Sequence, residues 1–61
     1  VKKPWYETNC LHIDGTVRTF VSREKSADRA LEMGRLECPK AIRVTVGIEG
    51  SAAVLREWRA A

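Results

Sequence analysis

Apolar and polar positions along this chain follow two different periods, and the periods divide it into elements. From Ala41 to Ile48, the apolar residues Ile42, Val44, Val46 and Ile48 alternate with Arg43, Thr45 and Gly47. Period two puts the apolar set on one side of a pleated backbone, so this stretch predicts a strand with one face in the core. Between Ser22 and Cys38 the spacing changes to that of a helix, with Ala27, Ala30, Leu31, Gly34 and Cys38 forming one stripe. The stripe is narrow and built of small side chains, which lets a helix lie close to a sheet. Pro39 ends it, because the residue before a proline is pushed out of the α region. Ser22 or Ser26 supplies the N-cap, and Glu24 or Asp28 suits the positive end of the helix.

Residues 6–13 and 16–22 are rich in side chains that suit a strand, and Asp14-Gly15 lies between them. Asp-Gly holds positive φ at both central positions of a type I′ turn, so the pair predicts an antiparallel hairpin with a two-residue loop. That loop sets Ile13 opposite Thr16, Cys10 opposite Thr19 and Thr8 opposite Val21. One face then carries Tyr6, Thr8, Cys10, His12, Val17, Thr19 and Val21, and the other carries Asn9, Leu11, Ile13, Arg18 and Phe20. Both faces hold apolar residues, so the hydrophobic pattern specifies the register only weakly.

The C-terminal stretch reads in two ways. Glu49-Gly50-Ser51 is turn chemistry, after which Val54 to Arg59 returns as a strand beside the third. The alanines, Leu55, Arg56 and Glu57 favour helix by propensity, with Val54, Leu55 and Trp58 as its stripe. The strand is preferred, because a short antiparallel return needs only a tight turn. The expected fold is therefore α+β: a small antiparallel sheet with one central helix on one face, in the order ββαββ, with ββαβα as the alternative.

Sixty-one residues make one domain, expected over 5–61 with residues 1–4 as a flexible lead-in. A chain of this length buries only about 60% of the surface its unfolded form exposes. Small scaffolds often add a disulfide, a metal or a partner subunit. Cys10 and Cys38 are expected as reduced thiols, with a single disulfide as the alternative. Two cysteines and the lone His12 lack the spacing of a zinc site; His12 could approach Cys10 along the strand as a base, but no oxyanion loop or third orienting group supports Cys10 as a nucleophile. The four glycines form no phosphate-cradling loop, so no cofactor and no small-molecule substrate is expected; Gly47, inside a strand, marks a bulge or a close backbone contact.

No apolar run approaches the roughly 20 residues of a membrane span, and no signal peptide is visible, so a cytoplasmic location is expected. Seven Arg against four Lys lean toward a GC-rich bacterial or phage genome, and Val1 in place of Met fits a GTG start or a trimmed chain. The layout looks like the short accessory reading frames of phages and mobile elements, a likeness that transfers no residue roles.

The net charge of +3 permits an anionic partner without demanding one, since the signs are interspersed. One helix covers one side of a sheet. The expectation is thus a non-enzymatic interaction module, an inhibitor or adaptor, that binds another protein or a second copy through its open face with Leu11, Ile13, Arg18, Phe20 and Trp58. Leu36 on the outer helix face adds a smaller contact. The alternative is a small nucleic-acid-binding domain using Lys3, Arg18, Arg43, Arg56, Trp58 and Arg59, where Arg contacts phosphate and aromatic rings stack on bases.

Overall fold

The computed structural model describes residues 4–61, and among them the chain forms four strands and one helix. They are β1 (Trp5–Leu11), β2 (Val17–Arg23), α1 (Ala27–Glu37), β3 (Arg43–Ile48) and β4 (Arg56–Arg59). All strand pairs are antiparallel, and the sheet order is β2-β1-β3-β4. The fold is the expected small α+β arrangement, with the C-terminal stretch a strand and the helix packed on one face. Lys2 and Lys3 of the expected lead-in lie outside the described residues.

The first hairpin differs from the sequence expectation by one residue. His12 N–H donates to Thr16 O at 2.9 Å and Gly15 N–H donates to His12 O at 3.0 Å, so Ile13, Asp14 and Gly15 make a three-residue loop. Gly15 has φ +90, but Asp14 does not enter positive φ, and a type I′ turn requires both. The Asp14 carboxylate instead accepts from the Thr16 N–H at 3.0 Å and the Thr16 hydroxyl at 2.7 Å, fixing the exit of the loop. Cys10 therefore faces Arg18 and Thr8 faces Phe20, which exchanges the two faces of β2. The physical reason lies in the side chains of β2. The observed register turns Phe20, its largest apolar side chain, toward the core, whereas the two-residue loop would have left Phe20 outside and buried Val17 and Val21.

The helix begins one turn later than the earlier of its two candidate caps. Ser26 is the N-cap, in extended conformation, and its hydroxyl accepts from Arg29 N–H at 3.1 Å; Ser22 is in β2. Cys38 caps the other end, its N–H donating to Gly34 O at 3.0 Å, and Pro39 follows. The small-residue stripe is the packed face: Ala30, Gly34 and Cys38 are buried, and Ala27 and Leu31 are half-buried.

Beneath the helix lie Tyr6, Thr8 and Cys10 of β1 and Val44 and Val46 of β3, all buried. Burying each valine contributes about 1.5–3 kcal/mol. The helix comes so close that a Cβ on Gly34 would stand 2.7 Å from Thr8 Cγ2 and 3.1 Å from Val44 Cγ1. Gly47 serves the second close approach, since a Cβ there would stand 2.5 Å from the Ala53 carbonyl oxygen. Residues 51–55 thus arch over Gly47 before Leu55 N–H bonds to Val46 O at 2.8 Å, which is why β4 starts at Arg56 rather than at Val54.

Gly34→Ala is expected to lower stability by roughly 1–3 kcal/mol through overpacking, although alanine is the better helix former by about 1 kcal/mol. Thr8, fully buried, has no hydrogen-bond partner for its hydroxyl among the described residues. Thr8→Val is therefore expected to raise stability by about 1 kcal/mol. Urea unfolding measures both, and a Gly34→Ala chain more stable than wild type would refute the close approach.

Candidate functional site

The register assigns every strand residue to one of two sides. The side away from the helix carries Trp5, Glu7, Asn9 and Leu11 of β1, Val17, Thr19, Val21 and Arg23 of β2, Arg43, Thr45 and Gly47 of β3, and Glu57 and Arg59 of β4. No second layer of described residues covers it. Only the arch of residues 51–55 reaches over its edge, and Val54 joins Asn9, Leu11, Val17, Arg43 and Thr45 around a shallow groove of about 340 Å³. Val17, Val54 and Trp5 are exposed, and Leu11 is half-buried.

Polar groups on this side are tied to one another. Asn9 accepts from the Thr19 hydroxyl at 2.6 Å across the strand pair. Glu57 stands between Arg43, at 2.8 Å, and Arg59. The Arg59 contact first, then Arg43, holds the Glu57 carboxyl below its ordinary value. Trp5 lies under the Arg23 guanidinium, 5.6 Å from ring centroid to charge.

The sequence-predicted contact set is divided by this geometry. Leu11 is on the uncovered side, and Ile13 is at the hairpin tip, 87% exposed. Arg18, Phe20 and Trp58 are on the helix side, contrary to expectation. Arg18 faces the Glu37 carboxylate at 3.8 Å, and Phe20 and Trp58 pack against the core cluster. Arg35 of the helix covers the Trp58 ring at 4.5 Å. The sequence reading missed Val17, Val21 and Val54 as members of the open face. A two-residue loop puts the first two on the helix side, and Val54 lies in the arch before β4 rather than in the returning strand.

The set predicted for nucleic acid is divided too. Arg43 and Arg59 lie on the open side, Arg18, Arg56 and Trp58 on the helix side, and Lys3 lies outside the described residues. Each of the four described arginines has a carboxylate partner, and Arg56 meets Asp28 at 2.7 Å.

On the helix side, an open groove of about 510 Å³ runs between α1 and β4, lined by Leu31, Arg35, Leu36, Cys38, Pro39 and Trp58 among others. Leu36 is 68% exposed at its rim. Cys10 and Cys38 are both buried and unbridged. Burial first, and the Cys38 thiol beside it next, push the Cys10 thiol up to about 12, against the weaker opposite pull of Arg18. Among the described residues, no three of His, Cys, Asp and Glu come together in a way that would hold a metal ion, and no helix is long and apolar enough to cross a membrane. Comparison with known proteins finds no matching family model, no similar curated protein and no similar solved structure.

The raised Cys10 value has a definite sign. The unfolded chain releases this proton first, so the contribution to stability is complete below the ordinary value of 9.0 and is lost as pH rises from there through about 12. In urea titrations between about pH 8 and about pH 11, the wild type is expected to lose stability faster than Cys10→Ala, by at most about 1.4 kcal/mol per pH unit. Equal slopes for the two chains would contradict the assignment.

Proposed function

We propose that this chain is a non-enzymatic protein-interaction module whose contact surface is the sheet side opposite the helix. The observation that carries the reading is the group Leu11, Val17, Val21 and Val54, which stands uncovered around the Asn9–Thr19 pair. Uncovered apolar side chains gathered on one surface favour a protein contact. Among the described residues, the sulfur, histidine and carboxylate groups do not gather as nucleophile, base and orienting group, which favours binding over catalysis.

The occupant this surface suits best is a second copy of the chain. Both signs of charge border it, Glu7 on β1 and Arg23 on β2, so a copy turned to match meets opposite charges. Size sets the strength. Four strands about 4.8 Å apart and seven residues of about 3.3 Å rise give a projected area of roughly 400 Å². That is about half the area each partner contributes to a standard interface, so the association is weak and concentration-dependent. Docking of the same side on a larger protein, as an inhibitor or adaptor, is the variant reading. Nucleic acid receives less support, because the arginines that would meet phosphate are paired with carboxylates and Trp58 is under Arg35.

Sedimentation across the micromolar to millimolar range is expected to show reversible dimer formation that Val21→Glu abolishes, while Leu36→Glu on the helix side leaves it unchanged. A chain that stays monomeric throughout would remove the second copy as occupant. Dimers insensitive to Val21→Glu would remove the sheet side as the surface.

A further inference from the structure

Two sulfurs and a guanidinium meet where the end of the helix reaches the sheet. Cys10 is fully buried in β1, and Cys38, the C-cap of α1, is 5% exposed. Both residues converge on the carbonyl oxygen of Gly34. The Cys38 N–H donates to it at 3.0 Å, and the Cys10 thiol donates to it at 3.8 Å. This places the Cys10 sulfur one side chain's reach from the Cys38 backbone, and the two residues pack in one cluster. Arg18 is the cross-strand partner of Cys10. Its guanidinium extends to 4.0 Å from the Cys38 sulfur and 3.5 Å from the Glu37 carbonyl oxygen. A guanidinium there is placed to meet the charge that develops on sulfur during thiol–disulfide exchange. Cys38 also borders the groove between α1 and β4, so it has a route to solvent that Cys10 lacks.

We infer that Cys10 and Cys38 are a thiol pair that closes into a reversible intramolecular disulfide by exchange with low-molecular-weight disulfides of the glutathione class, with Cys38 reacting first. The Cys38 thiolate attacks one sulfur of the small disulfide. The small molecule's S–S bond breaks, one small thiolate leaves, and Cys38 carries a mixed disulfide. Cys10 gives up its proton and attacks the Cys38 sulfur, and the second small thiolate leaves. The protein dithiol is oxidised by two electrons, the small disulfide is reduced to two thiols, and the two protein protons end on them. The bridge ties the end of the only described helix to a central strand and closes a loop that contains β2 and all of α1. This inference is independent of the reading of the open sheet side.

The test uses the reduced full chain in glutathione redox buffers, quenched with acid and read by mass spectrometry and peptide mapping. The expected product has lost two hydrogens, carries no glutathione, links Cys10 to Cys38 within one chain, and returns to the dithiol with excess reductant. Its thermal midpoint is expected to rise by on the order of 10 °C. Cys10→Ser should accumulate a glutathione adduct at Cys38, Cys38→Ser should leave Cys10 unmodified, and Arg18→Gln should slow closure several-fold with an unchanged circular dichroism spectrum. If a serine variant does not fold, the wild-type product still decides. Native wild-type thiols that stay unmodified while both react in urea would overturn the inference. So would a stable glutathione adduct or an intermolecular dimer in place of the internal bridge.

Discussion

The contact of Gly34 with Thr8 and Val44 is the constraint on which the rest of the molecule depends. A side chain at position 34 would lift the helix from the sheet, and the two buried valines of β3 would lose their cover. Ala30 and Cys38 continue the same close seam toward the two helix ends. The seam is narrow, so the helix seals the two central strands. At its flanks it is joined to the edge strands by polar contacts: Arg18 with Glu37 on β2, and Asp28 with Arg56 and Arg35 with Trp58 on β4. These exposed pairs contribute little each, on the order of 0–1 kcal/mol. The apolar seam carries the stability, and the flanking pairs set the orientation.

The same seam accounts for the chemistry of the thiols. Close packing brings Cys38 down beside Cys10 and excludes water from Cys10, which keeps the Cys10 thiol protonated. The register that turns Phe20 inward also turns Arg18 toward the helix end, so the cation and the two sulfurs meet as a consequence of one hairpin loop. A two-residue loop would have placed Thr19 opposite Cys10 and left Arg18 on the other side.

Much of the architecture was legible in the sequence for identifiable reasons. The alternation of Ile42, Val44, Val46 and Ile48 marks the core face of β3, where Val44 and Val46 are buried and the two isoleucines at its ends stay exposed, and the spacing from Ala27 to Cys38 with Pro39 beyond it bounds a helix. The hairpin register was not legible, because β1 and β2 carry apolar residues on both parities. The choice between a two- and a three-residue loop then rested on Asp14, whose carboxylate prefers to bind Thr16 over entering positive φ. The candidate surface inherited that error: Arg18 and Phe20 changed sides with the register. Trp58 is on the helix side because β4 pairs it with Val44 of the core face, a register that the alanine-rich approach to β4 does not announce. A single helix on a four-stranded sheet still leaves the opposite side uncovered.

The exposure of that side is tested most directly by methyl-resolved NMR with a soluble paramagnetic agent. At low concentration, the methyls of Leu11, Val17, Val21 and Val54 should relax strongly, while those of Val44 and Val46 stay shielded. As the chain is concentrated, the first group should lose its exposure together and Leu36 should keep its own. Leu11 and Val21 methyls that are shielded in the dilute monomer, or shielding that appears at Leu36 instead, would contradict the account.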